Sequence, residues 1–176
     1  LTLSCLYFPL KAVYPPRSRA FMIVLIKAYN RLANYEIGLT MSLTGECFCG
    51  SIKYEISGDV YDARSCHCSR CRKAFSGAGS AYGLVRGDFK WLAGEELLSS
   101  YVSEQGAGLQ FCRQCGSTLT GVFQGEVHGV VLGCLNGDPP ITMERHIFVG
   151  SKASWDTIGG DAPQYEAWPP EEKLNE

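Results

Sequence analysis

Gly45-Glu46-Cys47-Phe48-Cys49-Gly50-Ser51-Ile52-Lys53-Tyr54-Glu55-Ile56 places two signals side by side. The first half is a Cys-x-Cys turn followed by glycine, a backbone path tight enough to aim two thiols at one point. The second half alternates apolar and polar side chains with period two, the mark of a half-buried strand. The stretch therefore predicts a metal-binding turn feeding directly into a core strand. Ser57-Gly58-Asp59 then predicts a turn, and residues 60–65 a second short strand.

Two more cysteine groups lie downstream. One is Cys66-His67-Cys68-Ser69-Arg70-Cys71 and the other is Cys112-Arg113-Gln114-Cys115-Gly116. The chain holds 9 Cys in 176 residues. An odd number, grouped as C-x-C and C-x-x-C, points to thiolate–metal binding in a reducing compartment rather than to a disulfide framework. Zinc takes four thiolate or imidazole ligands at tetrahedral corners. Cys47, Cys49, Cys112 and Cys115 supply two plus two, a closed site that clamps distant parts of the chain and contributes folding energy.

Cys66, Cys68 and Cys71 supply only three. Zinc with three protein ligands and one open corner is the catalytic arrangement, and such a corner accepts an exogenous thiol as thiolate. Arg70, Arg72 and Lys73 set positive charge beside it, suited to an acidic thiol. Two plainer readings stand next to this one. His67 can complete a structural site, or the three thiols can be metal-free and prone to oxidation. His67 is otherwise expected beside the ligands or in the pocket.

The remaining pattern predicts many short strands and little helix. Residues 68–76 read as the single helix, stopped by Gly77. Strands are expected at 80–85 and 89–92 around the turn Arg86-Gly87-Asp88, at 97–102, 109–112, 117–123, 127–135 and 146–149. Cys134 reads as a small buried hydrophobe, and His128 and His146 as packed or exposed histidines. Trp155, Tyr165 and Trp168 read as aromatic anchors of a wrapping tail.

Hydrophobic residues make up 45% and charged residues 19%, with a formal net charge of -2. No basic field suggests nucleic acid. Residues 1–40 differ from the rest and are expected to be an N-terminal extension, disordered or outside the native domain, ahead of a natural start at Met41. Their apolar run, residues 21–26, falls far short of the ~20 residues of a membrane span. Cys5 lies in this extension and receives no role. The domain is expected over 41–170, with a tail at 171–176.

Taken together, Cys47-Phe48-Cys49-Gly50-Ser51, Cys66-His67-Cys68-Ser69-Arg70-Cys71-Arg72-Lys73, Phe111-Cys112-Arg113-Gln114-Cys115-Gly116-Ser117 and His146-Ile147-Phe148-Val149-Gly150-Ser151-Lys152-Ala153-Ser154-Trp155 resemble the glutathione-dependent formaldehyde-activating enzyme family over about residues 43–169. The resemblance implies a mainly β, Mss-four-like fold, shared with a small zinc protein that acts as a Rab GTPase accessory factor, built of several small coiled antiparallel sheets. It implies a structural zinc at Cys47, Cys49, Cys112 and Cys115, and a second zinc at Cys66, Cys68 and Cys71, the catalytic set. It also implies a carbon–sulfur lyase that joins formaldehyde and glutathione into S-hydroxymethylglutathione, or reverses that step. Glutathione is the expected partner, contacted by His67, Arg70, Arg72 and Lys73; no nucleic acid or membrane is expected, and the cytoplasm is the expected location.

A non-catalytic zinc module or chaperone-like protein on the same fold is the competing expectation. A methionine sulfoxide reductase relative is a third. It needs a reactive cysteine outside the metal clusters, and Cys134, in its apolar run, is poorly placed for a low-pKa thiolate.

Overall fold

The computed structural model describes residues 42–170; the expected extension at 1–40, with Cys5, and the tail at 171–176 lie outside the described residues. β1 (Ser42–Glu46) leads into the Cys47–Cys49 turn and pairs antiparallel with the first half of β2 (Lys53–Cys66). The alternation that opens β2 has the expected effect. Ile52, Tyr54 and Ile56 are completely buried, while Lys53 is exposed. Phe89 stacks on the Tyr54 ring at 5.2 Å and Trp91 meets it edge-on at 5.9 Å.

β2 is followed by α1 (Ser69–Phe75), then by β3 (Ser80–Ala93), β4 (Leu98–Val102), β5 (Ala107–Cys112), β6 (Thr118–Phe123), β7 (Glu126–Val131) and β8 (Arg145–Ile147). The fold is mainly β, as expected, with one short α-helix among the described residues. The small antiparallel units run together edge to edge in the order β1-β2-β3-β7-β6-β5-β4, and β8 joins β2 in parallel. β1 and β8 share one edge of β2, pairing with residues 53–57 and 64–66 respectively. The core gathers Ile52, Tyr54, Ile56, Val60, Leu119 and Val130 around Cys47 and Cys112.

Two expected turns are not reversals. β2 continues through Ser57-Gly58-Asp59 and β3 continues through Arg86-Gly87-Asp88, so each is one 14-residue strand. Gly58 and Gly87 face one another in the ladder. A Cβ on Gly58 would lie 2.1 Å from the Arg86 carbonyl oxygen, and one on Gly87 2.4 Å from that of Ser57. Glycine here serves a close approach of two backbones, the alternative meaning of glycine inside a strand. Further along, Asp62 and Ala63 together oppose Gly83, and Asp62 has a φ of 50°. This bulge re-aims the end of β2 that carries Arg64 and Cys66.

Smaller differences follow from the same neighbours. β7 stops at Val131, and Leu132–Cys134 forms a single 3-10 turn instead of extending the strand. The helix ends at Ser76, in the left-handed conformation with φ 51°, one residue before the glycine expected to stop it. Trp155 and Trp168 are 69% and 55% exposed, so they do not anchor the tail in the core.

Gly87 has a φ of 110° as well as the backbone contact. Gly87→Ala is therefore expected to cost about 1–3 kcal/mol of stability, read as a lowered urea midpoint at unchanged slope. A midpoint equal to wild type would mean that the two strands separate easily at this crossing.

Candidate metal centres and the cavity they open on

Among the described residues, two groups of side chains converge closely enough to hold a metal ion. They are Cys47, Cys49, Cys112 and Cys115, and Cys66, Cys68 and Cys71; within each group the sulfurs lie within 4.8 Å of one another. These are the two clusters expected from the spacing.

The first cluster is built from matching turns. Each has a glycine after its second cysteine, Gly50 (φ 71°) and Gly116 (φ 78°), and each glycine amide donates back to the carbonyl of the turn's first cysteine, at 2.8 Å. Each turn continues into a serine. The Phe48 amide donates to Ser117 Oγ at 3.0 Å and ties one turn to the other. The Ile52 amide donates to Cys47 Sγ at 3.3 Å and fixes the sulfur at the start of the core strand. Cys47 and Cys112 are part of the core, 2% and 0% exposed. Sulfur separations of 3.4 Å (Cys47–Cys49) and 3.9 Å (Cys49–Cys112) match the ~3.8 Å between corners of a tetrahedron with ~2.3 Å metal–sulfur bonds. An all-sulfur set of this size suits zinc.

The second cluster surrounds the start of α1. Cys68 caps the helix, its sulfur accepting from the Cys71 amide at 3.4 Å, and the three residues from Cys68 to Cys71 bring both thiols to one side. Cys66 arrives from the end of β2. All three are half-buried. The hydrogen bond with Cys66 pulls the Cys71 thiol below its ordinary range, against burial, with Ser80, Cys68 and Arg70 acting in the same direction. The same contact and burial push Cys66 up. The donor set again fits zinc, with three protein ligands and one corner free.

The three cysteines line a cavity of ≈ 860 Å³. Arg64, Arg70 and Lys73 also line it, and among the described residues no carboxylate does. Arg64 is held by an ion pair with Asp62 at the β2 bulge, where Arg145 also reaches Asp62 at 3.1 Å. Its guanidinium lies 5.7 Å from the Tyr82 ring centroid and 5.4 Å from that of Trp168. Trp168, packed edge-on against Phe148 at 5.9 Å, also lines the cavity.

Arg72 and His67 take other positions. Arg72 turns to a separate cleft of ≈ 320 Å³ beside Trp155 and donates to the Ser151 carbonyl at 3.3 Å. His67, 5% exposed, directs Nε2 at His146 Nδ1 (3.0 Å) and Nδ1 at Asp156 (3.3 Å), so both ring nitrogens face partners other than the cysteines. With its amide donating to the Ile147 carbonyl at 3.0 Å, it pins the Cys66–Cys68 segment to β8. Cys134 donates to the Thr118 carbonyl at 3.3 Å, and burial, with Cys47 and Cys115 adding, pushes its thiol up to about 11. It is protonated at neutral pH, as its apolar setting suggested.

The match to known proteins follows the same boundaries. The family model of the glutathione-dependent formaldehyde-activating enzyme matches residues 42–151. The chain belongs to this family. The formaldehyde-activating family match thus spans both clusters, all of the strands and the loop from α1 to β3. The chain is also similar to the crystal structure of a Rhodobacter sphaeroides protein, at 32% identity over 55% of this chain and 91% of that one, with a TM-score of 0.44. No curated protein matches it.

Removing one thiol should affect the clusters unequally. Cys112→Ser is expected to lose cooperative unfolding, because it opens a site inside the core. Cys71→Ser should keep a cooperative transition, because its cluster lies at the cavity wall. Circular dichroism melts of the two variants, with metal content by mass spectrometry, make the comparison. Equal melting losses would show that the clusters share the structural load.

Proposed function

We propose that this chain is a zinc-dependent carbon–sulfur lyase acting on glutathione adducts, forming S-hydroxymethylglutathione from formaldehyde and glutathione or releasing it. The observation that carries the reading is the opening of three half-buried thiols onto one large cavity whose charged lining, among the described residues, is cationic. Family membership supports the same chemistry. In this reading Cys47, Cys49, Cys112 and Cys115 hold a structural zinc, and Cys66, Cys68 and Cys71 hold the working one.

Zinc at the second cluster supplies a Lewis acid with a free position that makes a thiol available as thiolate at neutral pH. The protein's side chains do the rest. Arg64, Arg70 and Lys73 attract and orient a ligand with carboxylates, as glutathione has, and Arg64 is preset by Asp62 and by two aromatic faces. Trp168 and Phe148 give the cavity aromatic surface. His67, braced by Asp156 and His146, fixes two of the three thiols. Arg72, contrary to its place in the basic run, acts in holding α1 to residue 151 rather than in substrate contact. Thiol-based metal sites suit a reducing compartment, and the cytoplasm is the proposed location. Among the described residues no helix is long and apolar enough to cross a membrane.

Two measurements test the reading. The protein as purified in zinc should carry two ions per chain, one of which is displaced or rearranged on adding glutathione. With glutathione present, formaldehyde consumption should exceed the spontaneous addition rate and fall to that rate in Cys66→Ser. A single zinc per chain, with Cys66→Ser and Cys71→Ser indistinguishable from wild type, would instead favour a non-catalytic zinc module.

A further inference from the structure

The cavity needs a proton donor for an aldehyde oxygen, and the sequence alone does not single one out. The strand geometry does. Ser80 and Tyr82 are two residues apart on β3 and project from the same face. Both line the cavity, and Ser80 pairs with Cys66 across the β2–β3 ladder. Tyr82 therefore stands one strand repeat, about 7 Å, farther along the wall that begins at the cluster.

Its hydroxyl has a built seat. Gly121 and Gly129 are paired across β6 and β7, and a Cβ on either would lie 2.3 Å from Tyr82 Oη. The phenol thus lies over two positions that only glycine leaves open. His128, on β7 and exposed, brings Nδ1 to 3.4 Å and Nε2 to 3.5 Å of the same oxygen. Arg64 is the cation that faces the ring, 5.7 Å from its centroid. Burial holds the Tyr82 phenol above its ordinary range, although the Arg64 charge and the Gly121 amide pull the other way. The hydroxyl accordingly keeps its proton at neutral pH and serves as a donor.

We propose that Tyr82 donates a proton to the aldehyde oxygen and that His128 returns one to Tyr82 from solvent. The proposal rests on the reading of the cavity as the place where a thiol meets an aldehyde. The substrate sulfur, having lost its proton on becoming thiolate, forms a bond to the carbonyl carbon. The carbonyl π pair moves to oxygen, which takes the Tyr82 proton; a ring N–H of His128 reprotonates Tyr82, and the ring recovers its proton from water. Thiol plus aldehyde give the hemithioacetal with no other reactant. The reverse reaction uses the same groups in the opposite order.

Tyr82→Phe keeps the ring on its glycine seat and removes only the hydroxyl. With glutathione and formaldehyde, its kcat should fall about 100-fold. KM for glutathione should stay within about threefold, zinc content should equal that of wild type, and glutathione should quench tryptophan fluorescence over the same concentration range. His128→Gln, an exposed substitution, should lower kcat about tenfold with the same unchanged binding. Should Tyr82→Phe misfold, His128→Gln still decides: wild-type kcat in it overturns the relay. Wild-type kcat in Tyr82→Phe overturns the proposal outright. Equal loss of kcat and of glutathione binding would make Tyr82 a binding residue and also overturn it. Wild-type protein that fails to exceed the spontaneous rate sinks the lyase reading itself, a result separate from any of these.

Discussion

Four sulfurs within 4.8 Å of one another set the terms for everything else in this molecule. Cys47 and Cys49 sit at the turn between β1 and β2, while Cys112 and Cys115 sit at the turn between β5 and β6. In the sheet these hairpins are separated by β3 and β7. Their turns can meet only if the sheet coils back on itself, so the thiol cluster fixes the curvature. Metal binding by such a set converts directly into folding free energy. Burial of Cys47 and Cys112 among Ile52, Tyr54, Ile56 and Leu119 makes the cluster and the apolar core one unit.

The coiling also makes the cavity. β2 and β3 run unbroken past the glycine crossing, so the far half of each strand projects beyond the core. There the bulge at Asp62 turns Arg64 and Cys66 toward α1, and Ser80 and Tyr82 rise from the neighbouring strand. A rigid half, closed around four thiols, thereby presents an open half around three. The difference in burial between the clusters follows from this division.

Both clusters were legible from sequence because metal ligation leaves a local record. C-x-C, C-x-x-C and a following glycine are written in consecutive residues. The burial of Ile52, Tyr54 and Ile56 was legible for the same reason, since alternation is local. Gly58 and Gly87 misled because a glycine needed for a strand crossing has the same letters around it as one needed for a turn. Arg64, Tyr82, His128 and Trp168 went unmarked as cavity residues because they come from four separate segments, and only the sheet order brings them together. His67 was expected beside the ligands or in the pocket; His146 and Asp156, which its ring nitrogens face, lie about 80 and 90 residues away, too far for a local pattern to mark them as its partners. Trp155 and Trp168 were read as anchors because large aromatics usually are, and the tail instead leaves them at the edge of two clefts.

One strand touches both clusters. β2 begins one residue after Ile52, whose amide faces Cys47, and ends at Cys66. A shared rigid element makes the two occupancies linked quantities, and linkage is reciprocal. Whatever tightens the four-thiol turn steadies the three-thiol end by the same free energy that a ligand at the three-thiol end returns to the turn. An ion lost from the three-thiol end to a competing thiol would then be felt at the four-thiol end as a small drop in affinity, and resistance to unfolding would register the exchange.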